Sequence, residues 1–377
     1  MYVIMITPNK FPNGDAGAIR DYHFAKLYQD MGYYTVYIGK GNNRNGNYRG
    51  IEYYNIEKSS GSLVNKITNA ISYREHLQRI YSIIEEKYGA PNLIHIYSIP
   101  KGGIDWAIEC SAKNEIPLIH DSVEWYSACE FKYGIFSYPY ILKNLMNRIW
   151  IKAPIRVIAI STYLEKHFAS RGLRTVRIPV IMDSRDYNPS TETTNDLIRI
   201  VYAGSPAGKD YLKECLVAFN RLDPEIRGKM EFTIFGADSS FVKACLGNSI
   251  PQEIKVLGRV ARNQVIEKLQ NSDFSILLRP ENKRYTKAGF PTKVVEAMMN
   301  GCAMICNITS DLGLFLSDKN AIIVSECSVQ AMESALIKIS KLSRNNINQL
   351  KISSRMTAEE AFDYRKYRNH LEKLIHS

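Results

Sequence analysis

No apolar run in this 377-residue sequence approaches the roughly 18 residues that a membrane-spanning helix needs. The opening residues, MYVIMITP, are too short for the apolar region of a secretory leader and have no basic stretch before them. They read as a first buried strand. Cysteines number only seven, and only Cys302 and Cys306 lie close together, with no histidine beside them. A disulfide framework and a zinc site are both disfavoured, and reduced thiols in a cytoplasmic protein are expected. There is no G-x-G-x-x-G fingerprint, no Walker A loop, no prominent D-x-D pair and none of the nucleic-acid recognition motifs. Repeats and low-complexity stretches are absent as well. Acidic residues are in short supply, 38 against 49 Lys plus Arg, for a net charge of +11. That surplus fits a polyanion, an anionic membrane surface or a phosphate-rich ligand. Apolar residues are plentiful, at 45%, so disorder is excluded as the main state.

What is present is alternation. Short apolar, β-rich runs at 2–6, 35–38, 93–97, 117–120, 157–160 and 176–178 are separated by helical patterns, notably 18–31, 64–87, 104–113, 138–152 and 162–170. A polar stretch at 183–196, DSRDYNPSTETTND, reads as a linker. Strands then recur at 198–202, 230–235, 254–257, 274–278 and 303–307, with helices between them at 209–222, 265–271 and 291–300 and a last helix at 357–375. Strand–helix alternation implies parallel sheets covered on both faces. The length suggests two such units. Ligands of doubly wound sheets sit outside the carboxyl ends of the strands, so the loops there should carry the chemistry.

Four loops stand out. In RPENKRYTKAGFPTKVVEAMMNG (279–301) a strand runs into a basic loop with Lys283, Arg284 and Lys287; Gly289 permits a turn, and Pro291 sits where N1 of a helix would be. Thr292 and Lys293 fall in the first turn of that helix and Glu296 one turn in. Free amides, the positive dipole end and cations make an anion site, and the Glu296 carboxylate suits a diol such as a ribose. The alternative is a surface loop with a solvated charge run. AGSPAGKD (203–210) places glycines before Lys209 at a helix start, which suits a phosphate; its spacing and Asp210 rule out Walker A. NGDAGAIR (13–20) offers Gly14 and Gly17 for close backbone approach, weak evidence by itself. IHDSVEW (119–125) ends a strand with His120, which can hydrogen-bond a hydroxyl or serve as an ordinary core histidine.

Taken in order, these loops resemble the retaining glycosyltransferases of family 4. The resemblance spans nearly the whole chain and is most specific in FTIFGADSS (232–240), KVLGRV (255–260), SDFSILLRP (272–280) and GFPTKVVEAMMNGCAMI (289–305); IHDSVEWY, IAISTYLEKHF (158–168) and IPVIMD support it in the first half. It implies a GT-B fold: two doubly wound Rossmann-like domains facing a cleft, an acceptor domain at 1–185 and a nucleotide-sugar domain at 196–356, with a helix at 357–377 crossing back. Residue by residue, it implies that Glu296 binds the nucleotide ribose and Lys209 the phosphates. Gly289 and Phe290, with Pro291, Thr292 and Lys293, would belong to the loop facing the donor. Gly14 and Gly17 would lie beside the donor phosphates and His120 near the transferred sugar. Arg279 and Lys293 are both candidates for the basic partner of Lys209. The family's first motif Glu should fall at 288, where this chain has Ala288.

The resemblance further implies a UDP- or GDP-linked sugar as co-substrate, no cofactor, no metal, and a glycan or lipid-linked acceptor in bacterial cell-surface polysaccharide or glycoconjugate synthesis. Front-face attack with retention follows, the leaving phosphate taking the acceptor proton. A sugar-nucleotide 2-epimerase and a non-catalytic sugar-nucleotide-binding subunit are the alternatives. Residues 126–152, rich in Tyr, Phe, Ile and Leu with Lys132, Lys143, Arg148 and Lys152 interleaved, suit an anionic membrane surface; a core helix with an ordered loop is the other reading. Lys58, Lys66, Arg74 and Arg79 form a second basic region. Nucleic acid is not expected as a partner.

Overall fold

The computed structural model describes all residues except 13, 15, 41–44, 57–62, 190–193, 195, 207, 248 and 377, and of residues 63–71 it describes the backbone alone. Lys58 and the Lys66 side chain therefore lie outside the described residues. The chain forms two compact units, Met1–Met182 with Tyr364–Ser377, and Asp183–Asp363.

The first unit is built on an eight-stranded sheet: β1 (Tyr2–Ile6), β2 (Tyr34–Lys40), β3 (Gly46–Tyr48), β4 (Ile51–Ile56), β5 (Leu93–Ile96), β6 (Leu118–Ser122), β7 (Arg156–Ala159) and β8 (Thr175–Arg177). Their spatial order is β3-β4-β2-β1-β5-β6-β7-β8. All neighbours run parallel except β3 against β4. The second unit has six parallel strands: β9 (Ile198–Ala203), β10 (Met230–Phe235), β11 (Ile254–Gly258), β12 (Phe274–Leu277), β13 (Ala303–Asn307) and β14 (Ala321–Val324), in the order β11-β10-β9-β12-β13-β14. Parallel strands covered on both faces are largely apolar; β1 and β13 are buried at every position, and so is β6, although it ends in His120, Asp121 and Ser122.

Each sheet has one point where the chain reverses the direction in which it adds strands, between β1 and β5 in the first and between β9 and β12 in the second. The loops leaving β1 and β5, and those leaving β9 and β12, thus diverge at their carboxyl ends and leave a crevice there. Residues 203–210 follow β9, 279–291 follow β12 and 13–20 follow β1, so three of the four loops singled out in the sequence flank a switch point.

Several boundaries differ from the sequence reading. The first part of the linker is packed: residues Ser184–Asp186 form a turn capped by the Asp183 carboxylate on the Arg185 amide (3.1 Å), and the Arg355 guanidinium binds the carbonyls of Ser184 and Tyr187 (2.9 and 3.2 Å). The single helix expected at 357–375 is two helices, Arg344–Phe362 in the second unit and Arg368–His376 in the first. Asp363 leaves helical geometry because its carboxylate is taken by the Ser184 amide (3.1 Å) and hydroxyl (2.6 Å). Tyr364 then donates its amide to the Met182 carbonyl (2.9 Å) and its phenol to Asp30 (2.8 Å). The return to the first unit thus begins at Tyr364, not at 357. The helix expected at 138–152 is an α-helix over Tyr138–Leu145 followed by a π-turn over Met146–Trp150.

Candidate active site

In the second unit the loops after β9 and β12 meet around Asp210. Its carboxylate is 2% exposed and carries two cations: Arg279 Nε on Oδ1 at 2.7 Å, and the Lys293 ammonium on Oδ2. The Tyr202 hydroxyl, from β9, donates to the same Oδ2 at 2.9 Å. Burial alone would raise this carboxyl; Arg279 and Lys293 outweigh it and hold Asp210 below the usual carboxylate range. Burial draws the Lys293 ammonium down from its ordinary value, with Asp210 opposing. Two cations share one carboxylate, which leaves a local surplus of one positive charge.

Backbone geometry makes room for this arrangement. Gly204 sits at φ +151°, and a Cβ there would stand 2.3 Å from Lys293 Nζ and 2.9 Å from its Cε. Lys293 also lies 4.7 Å above the Tyr202 ring. The Tyr211 amide donates to the Leu278 carbonyl (2.9 Å), tying the two loops together. Asn307, at the end of β13, receives the Arg279 amide (3.0 Å) and donates to its carbonyl (2.8 Å), so Arg279 is fixed at its backbone as well as at its guanidinium.

Lys209 lies in the same loop, but the helix expected from residue 209 begins only at Leu212. Lys209 is therefore a loop residue. Its ammonium sits 5.7 Å above the Tyr285 ring, and the Tyr285 hydroxyl donates to the Lys209 carbonyl (3.4 Å). The basic stretch after β12 contains a short helix, Arg284–Ala288, where the sequence suggests only loop. Gly289 follows it in extended geometry. Pro291 is the N-cap of the next helix, not its first residue: its carbonyl accepts the Val294 amide, and Thr292 opens the helix Thr292–Met299. Phe290 is buried in an aromatic trio with Phe315 and Phe362, at 5.9 and 5.7 Å between centroids, and anchors the loop. Ala288 is fully buried. Glu296 projects from the second turn, half-buried, with Oε1 on the Arg262 guanidinium at 2.5 Å. Asp210 and Arg262 are the partners that sequence reasoning missed. Nothing local marks them, because their ion-pair partners stand 34 to 83 residues away.

In the first unit, Gly14 precedes the helix Ala16–Asp30 and Gly17 falls within its first turn. That helix is pinned to the carboxyl end of β6 by Arg20, buried, whose guanidinium grips Asp121 bidentately (Nε–Oδ2 2.7 Å, Nη2–Oδ1 2.9 Å) and the Ile178 carbonyl (3.0 Å). His120, one residue before Asp121, is 1% exposed, and neither of its ring nitrogens has a hydrogen-bond partner among the described residues. Burial, with the Lys143 ammonium adding to it, holds this imidazole far below its usual range, so it is neutral. Unpartnered buried polar atoms are rare because each costs about 1–3 kcal/mol.

Lys143, read in the sequence as part of a basic face, is instead inside. Its ammonium is 4% exposed, hydrogen-bonded to Ser98 Oγ (3.1 Å) and 3.7 Å from Glu124. Arg74, in the second basic region, pairs with Glu109 at the surface. Among the described residues, no group of three or more His, Cys, Asp or Glu could hold a metal ion, and no helix is long and apolar enough to cross a membrane.

Residues 183–355 match the family described as Glycosyl transferases group 1. No curated protein matches the sequence. Among solved structures, the chain is similar to sucrose-phosphate synthase from Thermosynechococcus elongatus, at 12% identity over 99% of this chain and 98% of that one, with a TM-score of 0.75. It is also similar to Anabaena HepE in complex with UDP and glucose, at 15% identity over 99% of both chains and a TM-score of 0.67. A third is WaaG, a glycosyltransferase involved in lipopolysaccharide biosynthesis, at 12% identity over 99% of both chains and a TM-score of 0.69. At such identities the likeness establishes the fold, the two-unit GT-B architecture.

Proposed function

We propose that the chain, whose residues 183–355 match the glycosyl transferases group 1 family, is a glycosyltransferase that moves a sugar, with retention, from a UDP- or GDP-linked donor to a glycan or lipid-linked acceptor in cell-surface polysaccharide or glycoconjugate synthesis. The observation that carries this reading is the cation cluster at the second switch point, where Arg279 and Lys293 are held by Asp210 and Lys209 lies in the adjoining loop. HepE, described with UDP and glucose, and WaaG, assigned to lipopolysaccharide synthesis, support the donor and acceptor classes.

In this reading Arg279, Lys293 and Lys209 neutralise the donor diphosphate, a task that side chains perform here without a metal or cofactor. Preorganised charge of this kind is usually the largest catalytic term, and removing one donor group typically costs about 10²–10³ in rate. Glu296 accepts hydrogen bonds from the ribose diol, and Arg262 orients its carboxylate. The Gly289–Phe290 backbone lines the sugar, with Thr292 and Pro291 opening the helix behind it. Gly14 and Gly17 are assigned to the donor phosphates by the family resemblance alone: a Cβ at Gly14 would meet the first unit's own Lys10 carbonyl and Ala18 methyl, and one at Gly17 the Asn9 side-chain amide. The family resemblance assigns His120 to the transferred sugar; its imidazole is neutral and buried in the first unit. The bond from the anomeric carbon to the phosphate oxygen breaks, the bond to the acceptor oxygen forms on the same face, and the acceptor proton passes to the leaving phosphate. Ala288 leaves no carboxylate at its position, so the double displacement that needs a carboxylate nucleophile has no candidate there. The protein acts in the cytoplasm, at the inner face of the membrane.

The test is turnover of a panel of nucleotide sugars, followed by release of the nucleoside diphosphate. One donor should be consumed by the wild type and far more slowly by Lys293→Gln. Failure of every donor to bind or turn over overturns the reading.

A further inference from the structure

The segment after β6 carries an apolar surface that the transfer reaction does not use. Five of the twelve exposed large hydrophobic residues of the described chain fall within residues 133–149: Tyr133 (69% exposed), Ile135, Phe136 (80%), Ile141 and Ile149 (59%). They belong to one packed assembly. The turn Gly134–Phe136 leads directly into the helix Tyr138–Leu145, and the π-turn Met146–Trp150 continues it. Exposed apolar residues scattered singly need no explanation, whereas a cluster of this kind marks an interaction surface.

The helix is inverted relative to a water-facing one. A solvated amphipathic helix turns its charges outward and its aliphatic side chains inward. Here the only charged residue, Lys143, is buried against Ser98 and Glu124, while Ile141 faces out. Burying an ammonium is costly unless it is paired, so the sequence spends a lysine on the inside while leaving isoleucine and phenylalanine in water. That arrangement is favourable where the outer face meets an apolar medium.

The charge around the patch identifies the medium. Lys132, Arg148 and Lys152 are exposed at its margin, with Lys132 5.8 Å over the Tyr133 ring and Arg148 5.5 Å over the Trp125 ring. Glu130 is the single acidic residue between 125 and 152, and one of its oxygens is engaged by the Ser127 amide (2.7 Å). A second copy docking on the same patch would bring like charges together. An anionic surface with an apolar interior meets both features, because aromatic and aliphatic side chains enter the headgroup boundary while Lys and Arg stay at the phosphates.

We infer that residues 132–152 dock the protein on an anionic lipid bilayer, with Tyr133, Ile135, Phe136, Ile141 and Ile149 inserted and Lys132, Arg148 and Lys152 on the headgroups. This deepens the reading of an acceptor presented at a membrane. The test is vesicle flotation of the full chain with phosphatidylcholine alone and with phosphatidylglycerol added, without donor or acceptor, so that its outcome is separate from that of donor turnover. The wild type should float only with the anionic vesicles, and less at high salt. Ile135→Ser/Phe136→Ser should lower binding by a factor of about 100, from the loss of two buried apolar side chains. Lys132→Gln/Arg148→Gln/Lys152→Gln should lower it by about fivefold for each charge removed. Leu257→Ser, an exposed apolar residue of the second unit, should change nothing. The altered side chains are exposed, so thermal melting should stay at the wild-type value. No flotation of the wild type, or flotation unaffected by the apolar variant, overturns the inference. So does a lipid-free dimer in sedimentation that Ile135→Ser/Phe136→Ser abolishes, since a second copy would then be the occupant.

Discussion

Replacing Asp210 with asparagine keeps the shape of the side chain and removes the charge that holds two cations. The carboxylate is 2% exposed and bonded to Arg279, Lys293 and Tyr202. Removing one partner of a buried ion pair typically costs about 3–5 kcal/mol, because the remaining charge stays desolvated. In a unit of this size about 1 kcal/mol corresponds to roughly 2–4 °C, so Asp210→Asn should lower the melting temperature by roughly 6–20 °C. The sign with pH follows from the depressed carboxyl. A carboxylate held below its unfolded pKa of about 3.9 contributes its stability in full above that value and loses it as pH falls through the folded pKa. The gap between wild type and Asp210→Asn should therefore be full at pH 7 and shrink below about pH 4. Without Asp210 the Lys293 ammonium keeps burial and Arg279, which lower its pKa, opposed only by Glu296, the smallest of the influences on it. A diphosphate then replaces the lost charge, so added nucleoside diphosphate should raise the melting temperature of the variant more than that of the wild type. Differential scanning calorimetry across pH, with and without nucleotide, measures all three. A variant that melts within a degree or two of the wild type at pH 7 would refute the hub.

Three further perturbations separate the roles of single residues. Gly204→Ala should push Lys293 off its position, since the new Cβ would stand 2.3 Å from the ammonium; its donor KM should move in the direction of Lys293→Gln, and an unchanged KM would sink that placement. Glu296→Ala should raise the donor KM about tenfold to hundredfold, the size of a hydrogen bond to a charged group, while a 2′,3′-dideoxyribose donor should show no such difference between the two proteins. Burial holds His120 far below its ordinary value and His95 down at about 4. Histidines that stay neutral when folded destabilise the fold as pH drops below the unfolded value of about 6.5. Stability should therefore fall between pH 6.5 and 4, and His120→Asn should flatten that slope in urea titrations; an unaltered slope would mean that His120 does not carry it.

The alternation of strands and helices was legible because buried parallel strands are continuous apolar runs, as in YVIMI of β1 and AMICN of β13. It failed at β3 and β4, at the sheet edge: β3 (GNY) is too short and polar to stand out, and IEYYNI of β4 mixes buried and half-buried positions. β14 (AIIV) has no counterpart in the sequence reading, although β5, β7 and β12 are no longer than it and are found there. The loop at 279–301 declared itself through local signals, a glycine, a proline and a helix start. Asp210 did not, since its meaning lies in Arg279 and Lys293, 69 and 83 residues on. The same holds for Lys143: its pattern reads as a basic face, and only Ser98 and Glu124 turn it inward. The break at Asp363 depends on Ser184, 179 residues earlier. Local chemistry was readable, and long-range pairing was not.

The most direct measurement is calorimetric titration of UDP and GDP into the wild type and into Lys293→Gln. The account predicts that one nucleoside diphosphate binds the wild type, that its affinity falls with rising salt, and that Lys293→Gln weakens it at least tenfold. Binding of neither nucleotide, or equal affinity in the two proteins, would contradict a diphosphate site built on the cations of the β9–β12 crevice.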